Sequence, residues 1–589
     1  MTRRLIAAAL LILGIVALIY LQRDKATAEI SPSPILYLVA DTEREAERIP
    51  LAITRVSEDE ENKIGERLAK EYGLSDPNRY AQDISGDLRR IEIHLNDIGH
   101  QLAQNVQRKK IRYHFYLDNN PYLVNAFALP GGQIVVGRGL LSLFESEDEL
   151  AAILGHEITH VDNRHAIERL QYEIAARKIG LDGFYGLGSL AVDIFRAGYA
   201  KEQELEADRV GLHFAVDAGF SPAGGVSVMS RFEKLEKEEQ QQEANRAGSP
   251  IEEFAQIPIS ALQDYFRSHP PAAERRAAME DEIRSQGWTV GPQRPFVLRP
   301  IFLTDQGEAL DRAGDFPASI VKFRQAFSFD ANYVRAWRGL AEAEWRAGDA
   351  AQTAEAASKA VHLQSTARDW ELLARGLAFS DPSGATLKFK IQIDLGQNAN
   401  RDFESQAIEN VELAGLQFLQ GNVNAFNDLL SVDTPTNYID VRASMRREMA
   451  FWMSHAGKFD LAANTLEEAR QILPQSTETS LALAWVRSDQ GRQADATEQL
   501  SNLRGSYSND EFQAVQAVIA MRTNQHESAN SYFQQAAHGD PVWLVPAWVQ
   551  NNFSPSTVAI LKQLQQEEQT RRRKEKEKQD ELRRHSQPQ

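Results

Sequence analysis

The chain has no cysteine among its 589 residues. That excludes a disulfide framework, thiol catalysis and a lipid-modified cysteine, and it suits an oxidising compartment. Positive charge is also short: 65 Lys and Arg against 83 Asp and Glu leave a formal net charge of -18. Such a balance argues against nucleic acid as the main partner. Long apolar runs are nearly absent. Ile179–Ala197 carries Asp182, Asp193 and Arg196, so it is too charged to span a membrane. The exception is Leu5–Leu21, which follows Arg3 and Arg4 and precedes an A-x-A pattern at Ala26-Thr27-Ala28. It reads as a cleaved signal peptide or an uncleaved anchor, and both place the remainder outside the cytoplasm, most simply in a bacterial periplasm.

What is present points to chemistry at one place. His156-Glu157-Ile158-Thr159-His160 puts two imidazoles at i and i+4, on one face of a helix, where they can converge on a zinc ion. Glu157 then sits where it can take a proton from water activated by the metal. A helix is expected because Ser146 and Glu149 form an S-x-x-E capping box, and Leu150, Ile153, Leu154, Ile158 and Val161 repeat with period 3.6. With 13 His in the chain, about 0.02 such matches arise by chance. A third ligand should come from another helix. Glu204 and Asp208 are again i and i+4, so one carboxylate can bind metal while the other fixes a histidine tautomer; Glu202 and Glu206 are the alternatives.

Upstream of that helix the sequence alternates. Ile111–Leu117, Val124–Leu129 and Gln133–Val136 read as strands, the last two separated by Pro130-Gly131-Gly132. A short sheet there offers an edge to which an extended peptide can add by its backbone, with broad sequence tolerance. Asn125 is a candidate for that edge, and a strand-end role fits it equally well. Gly183–Gly188, rich in glycine and aromatics, is either a mobile element between the ligand helices or part of a buried helix pair.

Four pieces together, NAFALPGGQIVVGRGLL from Asn125, HEITHVDNRH from His156, ELEAD from Glu204 and SHPPAAER from Ser268, resemble the M48 family of zinc metalloproteases. The resemblance runs from about Asp59 to Ser285. It implies one zinc on His156, His160 and Glu204, Glu157 as general base, and Asp208 and His165 supporting the ligands from behind. It also implies that His269 lies on a loop over the metal, polarising the scissile carbonyl or capping the zinc at rest. Periplasmic members act in quality control of outer-membrane β-barrel assembly. The resemblance therefore implies misfolded polypeptide substrates and contact with a barrel-assembly complex. The opposing reading is a non-catalytic assembly factor that works through a scaffold.

The second half repeats. Gly314 and Gly348 are 34 residues apart, as are Ala326 and Ala360, and Gly457 and Gly491; Gly384, Gly421 and Asn524 extend the ladder. Each step is expected to end one amphipathic helix and open the turn to the next, a pattern that resembles tetratricopeptide repeats and makes a concave groove for peptides or proteins. The expected fold is mainly α: a zinc protease domain with a small sheet, then an α-solenoid. The expected boundaries are 1–28 for the signal or anchor, 29–58 for a linker, 59–286 for the protease domain, 287–300 for a Pro/Gly-rich linker, 301–552 for the repeats and 553–589 for a charged tail.

Overall fold

A computed structural model of the chain describes residues 56–177, 184–185, 194–196, 198–244, 269–396, 402–430, 438–501, 503 and 509–586. The N-terminal signal or anchor, nearly all of the first linker, and most of Gly183–Gly188 lie outside the described residues. Among those described, no helix is long and apolar enough to cross a membrane.

The protein is mainly helical with one small sheet. In the first half, α1 (Glu58–Glu71) and α2 (Asp87–Leu102) precede β1 (His114–Asp118), β2 (Ala126–Leu129) and β3 (Gln133–Gly137). Then come α3 (Glu147–Asp162), α4 (His165–Arg177), α5 (Lys201–Asp217), α6 (Ala223–Ala244) and α7 (Ala272–Gln286). The strand order is β1-β3-β2, with β1 parallel and β2 antiparallel to β3. β2 and β3 are buried along their whole length, because the sheet is covered on both faces. Ala126, Ala128, Ile134 and Val136 join the core under α3, while Phe127, Leu129 and Val135 pack with α1, α4, Phe184, Tyr185, Ile194 and Phe195.

α3 begins as its sequence suggests, with the Ser146 hydroxyl accepting from the Glu149 N–H. The box is completed differently: the Glu149 carboxylate accepts from the Glu145 N–H and from Arg231. All 16 residues of α3 are buried, so it is the spine of this half rather than an amphipathic surface helix.

The second half is a succession of antiparallel helix pairs, from Arg299–Arg312 with Phe316–Ala326 to Asp510–Arg522 with His526–Gly539. The ladder works as turn chemistry at Gly314, Gly348, Gly421, Gly457 and Gly491, all with positive φ after a helix, and at Asn524, with φ 58. Gly384 departs from it. Its φ is -92 and it caps the start of a helix, after the Asp381 carboxylate has turned the chain.

Two expected boundaries change. The 287–300 stretch is not a free linker: Ser146 bridges to Pro295, Glu147 N–H donates to the Arg294 carbonyl, and Phe296 and Leu298 are fully buried. Apolar residues inside the Pro/Gly-rich run bind it to the start of α3. The stretch after 552 is not tail from its first residue either. A helix spans Pro555–Ser586, and its first turns bury Val558, Leu561 and Leu564 in the core of the last repeats. The charged, exposed composition read from the sequence appears further along, over Arg572–Gln579.

Candidate metal centre

Two helices approach each other closely enough to bring their acids and imidazoles together. α3 crosses α5 at Gly155 and Gly211, where a Cβ on Gly155 would stand 2.4 Å from the Gly211 carbonyl and one on Gly211 would stand 2.5 Å from the His156 nitrogen. No residue with a side chain fits at either point. The crossing lies one residue before His156 and one turn after Asp208.

The side chains that project from it converge. His156 Nε2 is 3.1 Å from His160 Nε2 and 3.3 Å from Glu204 Oε2, and His160 Nε2 is 3.7 Å from Glu204 Oε1. His269, buried just ahead of α7, places its Nε2 3.6 Å from Glu204 Oε2. One donor atom from each of His156, Glu204 and His269 lies within 4.8 Å of the others. Glu157 is buried beside them at 3% exposure. Burial pushes its carboxyl up to about 7, against the pull of His156.

The groups behind these donors fix their direction. The His156 Nδ1–H donates to Asp208 Oδ1 at 2.8 Å, which leaves the Nε2 lone pair toward the centre. Asp208 in turn accepts from Arg275 Nε at 2.8 Å and from its terminal nitrogen at 2.6 Å. His160 Nδ1 lies 3.0 Å from His165 Nδ1, and His165 Nε2 lies 3.4 Å from Glu206, so a proton relay can orient His160 likewise. Glu204 Oε1 accepts from the Tyr199 N–H at 3.0 Å, while the fully buried Oε2 has no hydrogen-bond partner. Burial would raise the Glu204 carboxyl, but His269, His156 and His160 hold it well below the usual carboxylate range.

Imidazole lone pairs facing a lone carboxylate oxygen in a dry pocket repel one another unless a cation joins them. The donor set therefore fits a divalent metal. Of the acids left open by the sequence, Glu204 points into the centre; Glu206 serves His165 from the surface, and the exposed Glu202 has no place among the donors. Asn125 stands at the start of β2, 3% exposed, with its Oδ1 unpartnered and its Nδ2 donating to the Arg196 carbonyl at 3.4 Å. Two residues carry more than their sequence context announced. Arg275 closes the SHPPAAER piece, and Tyr199 precedes α5 and stacks its ring on His160 with centroids 3.9 Å apart.

A helical histidine pair with an intervening glutamate, completed by a carboxylate from a second helix, defines a metallopeptidase-type centre. Residues 91–283 match the model of peptidase family M48. The mitochondrial metalloendopeptidase OMA1 of Arabidopsis thaliana is 31% identical over 161 residues, covering 26% of this chain and 29% of that protein. The beta-barrel assembly-enhancing protease of Escherichia coli K12 is 30% identical over 146 residues, covering 22% and 30%. The metalloprotease LoiP of the same strain is 28% identical over 204 residues, covering 33% and 71%. The chain thus spans less than a third of the length of the first two. A tetratricopeptide repeat protein from Parabacteroides merdae covers 57% of this chain and 98% of its own at 10% identity, with a TM-score of 0.29. At that score the repeat assignment rests on the helix pairs themselves.

Proposed function

We propose that the protein is a zinc-dependent endopeptidase of the cell envelope, acting on unfolded or misassembled polypeptides. The observation that carries this reading is the convergence of His156, His160 and Glu204 with Glu157 buried at their side. A zinc ion held by those three supplies Lewis acidity and an activated water at neutral pH. The protein's own groups do the rest. Glu157 takes a proton from the attacking water and hands it to the departing amine nitrogen, so the peptide bond is cut without a covalent intermediate. Asp208 with Arg275 and His165 with Glu206 keep both imidazoles aimed. The β2 edge receives an extended segment through backbone hydrogen bonds, and the unpartnered Asn125 Oδ1 is an acceptor available to it.

Glu157→Gln tests the reading. It removes the base and no ligand, so the metal content should stay near one zinc per chain while cleavage of an unfolded protein disappears. Retained cleavage would sink the mechanism, and unchanged zinc affinity in Glu204→Ala would sink the ligand assignment. His269 sits where a further donor to the same metal would sit, which favours a cap at rest. On that reading His269→Ala raises cleavage of a loosely folded substrate. A loss of roughly 10² to 10³ would assign the residue to the oxyanion instead.

The periplasm is the compartment that the N-terminal apolar run favours. The repeats supply a scaffold for partners, and likeness to a beta-barrel assembly-enhancing protease points to a barrel-assembly complex. Crosslinking of the Glu157→Gln protein in envelopes, with and without substitutions on the repeat surface, tests this. Identical adducts from both would leave the repeats without a role in delivery.

A further inference from the structure

The edge on which a substrate would add is already engaged by the chain itself. Among the described residues, β2 has β3 on one side only. Gly137 N–H donates to the Asn125 carbonyl at 2.9 Å, and the alternation of an antiparallel pair then turns Asn125, Phe127 and Leu129 toward β3. Ala126 and Ala128 therefore direct their backbone groups to the open side. There the phenol O–H of Tyr199 donates to the Ala128 carbonyl at 3.1 Å. The same residue stacks on His160 at an interplanar angle of 17° and donates its N–H to Glu204 Oε1. It is 7% exposed, so ring and phenol fill the space between the edge strand and the donor cluster.

We propose that Tyr199 is a latch on the substrate edge. While its phenol holds the Ala128 carbonyl, an incoming strand cannot pair at that residue. Admission of an extended polypeptide requires the phenol to leave and the substrate's own N–H to take its place. The ring contact with His160 couples the latch to the metal centre, so the edge and the donor cluster open together. This inference rests on the endopeptidase reading for the identity of the occupant, an extended polypeptide adding to β2.

Tyr199→Phe isolates the latch, because it deletes the hydroxyl and keeps the ring on His160 and the N–H on Glu204. The measurement is the Kd of fluorescein-labelled unfolded casein for the full-length Glu157→Gln protein, with and without Tyr199→Phe, at equal zinc content. Loss of one competing hydrogen bond should tighten binding by about 3- to 10-fold. In the protein with Glu157 intact, Tyr199→Phe should lower KM by a similar factor. Unchanged or weaker binding overturns the latch, including the case in which only the melting temperature falls, since that is what a merely structural hydroxyl would give. The two readings fail separately. If the parent does not cleave but Tyr199→Phe still tightens binding, the endopeptidase reading falls and the latch stands.

Discussion

Arg275 is 1% exposed, and a guanidinium that deep in the protein is tolerated only against a carboxylate. Asp208 provides it through both oxygens while also accepting from His156, so one acid balances a cation and aims an imidazole. Arg275→Gln leaves Asp208 with half of its partners. Metal affinity should fall by roughly 10- to 100-fold, as it does when groups that orient ligands are removed. Competition with a chelator checks this, and unchanged affinity would detach Arg275 from the site. The contrast in legibility is instructive. His156, Glu157 and His160 were readable because i,i+4 geometry is local, and Glu204 with Asp208 for the same reason. Tyr199 meets Ala128 across 71 residues and Arg275 meets Asp208 across 67, pairings that no local periodicity encodes.

Between helices, the crossing of α3 and α5 decides whether the donors meet at all. Gly211→Ala would drive a methyl into the backbone of Gly155 and His156. Overpacking of this kind costs about 1 to 3 kcal/mol, and here it also pushes α5 away from α3. The expected outcome is a lower melting temperature together with lost zinc binding. A variant that is destabilised yet binds zinc normally would show that the crossing does not set the site. The repeat turns give a milder case. Asn524 holds φ 58 where the ladder elsewhere uses glycine, so Asn524→Gly should stabilise by roughly 0.5 kcal/mol, and Asn524→Val should cost about 1 to 2 kcal/mol, read by denaturant unfolding. The 34-residue spacing exposed these turns because αL termination restricts residue type. Gly384 shared the spacing without the conformation, since an Asp381 turn does the same work there. The 287–300 stretch misled for the opposite reason: its Pro and Gly content suggested a linker, while the burial of Phe296 and Leu298 depends on α3, far away in sequence.

At the scale of the whole molecule the two halves share one apolar core running from Ile91 to Val486. Polar ties reinforce it: the Tyr333 phenol donates to Asp87 at 2.6 Å, and Arg138 reaches Asp305 at 2.5 Å. A chain cut after Pro300 would expose the face of Phe296 that stacks on Phe302 and open the shared core, so the protease half should be unstable by itself. Soluble, cooperatively unfolding protein from that truncation would show that the halves are separable after all.

The repeats also curl until their ends touch. Gly314 packs on Pro541, Gly348 packs on Ala547, and Arg346 joins Asp311 at 3.4 Å to Asp540 at 2.8 Å. Burial pushes the Asp311 carboxyl up to about 6, more than Arg346 offsets, and one of its oxygens has no partner. A carboxyl raised in the folded state favours folding while it is protonated. Its contribution is fully present below about pH 4 and is lost as pH rises through about 6. Asp311→Asn keeps the shape and removes that loss, while Arg346 retains Asp540. Urea unfolding should then show the variant equal to its parent near pH 4. Above pH 6 it should be more stable, by an amount capped at about 3 kcal/mol for a shift of this size. A variant less stable than its parent at pH 8 would mean that the ion pair with Arg346 outweighs the burial of Asp311, and that this carboxylate holds the ring of repeats closed.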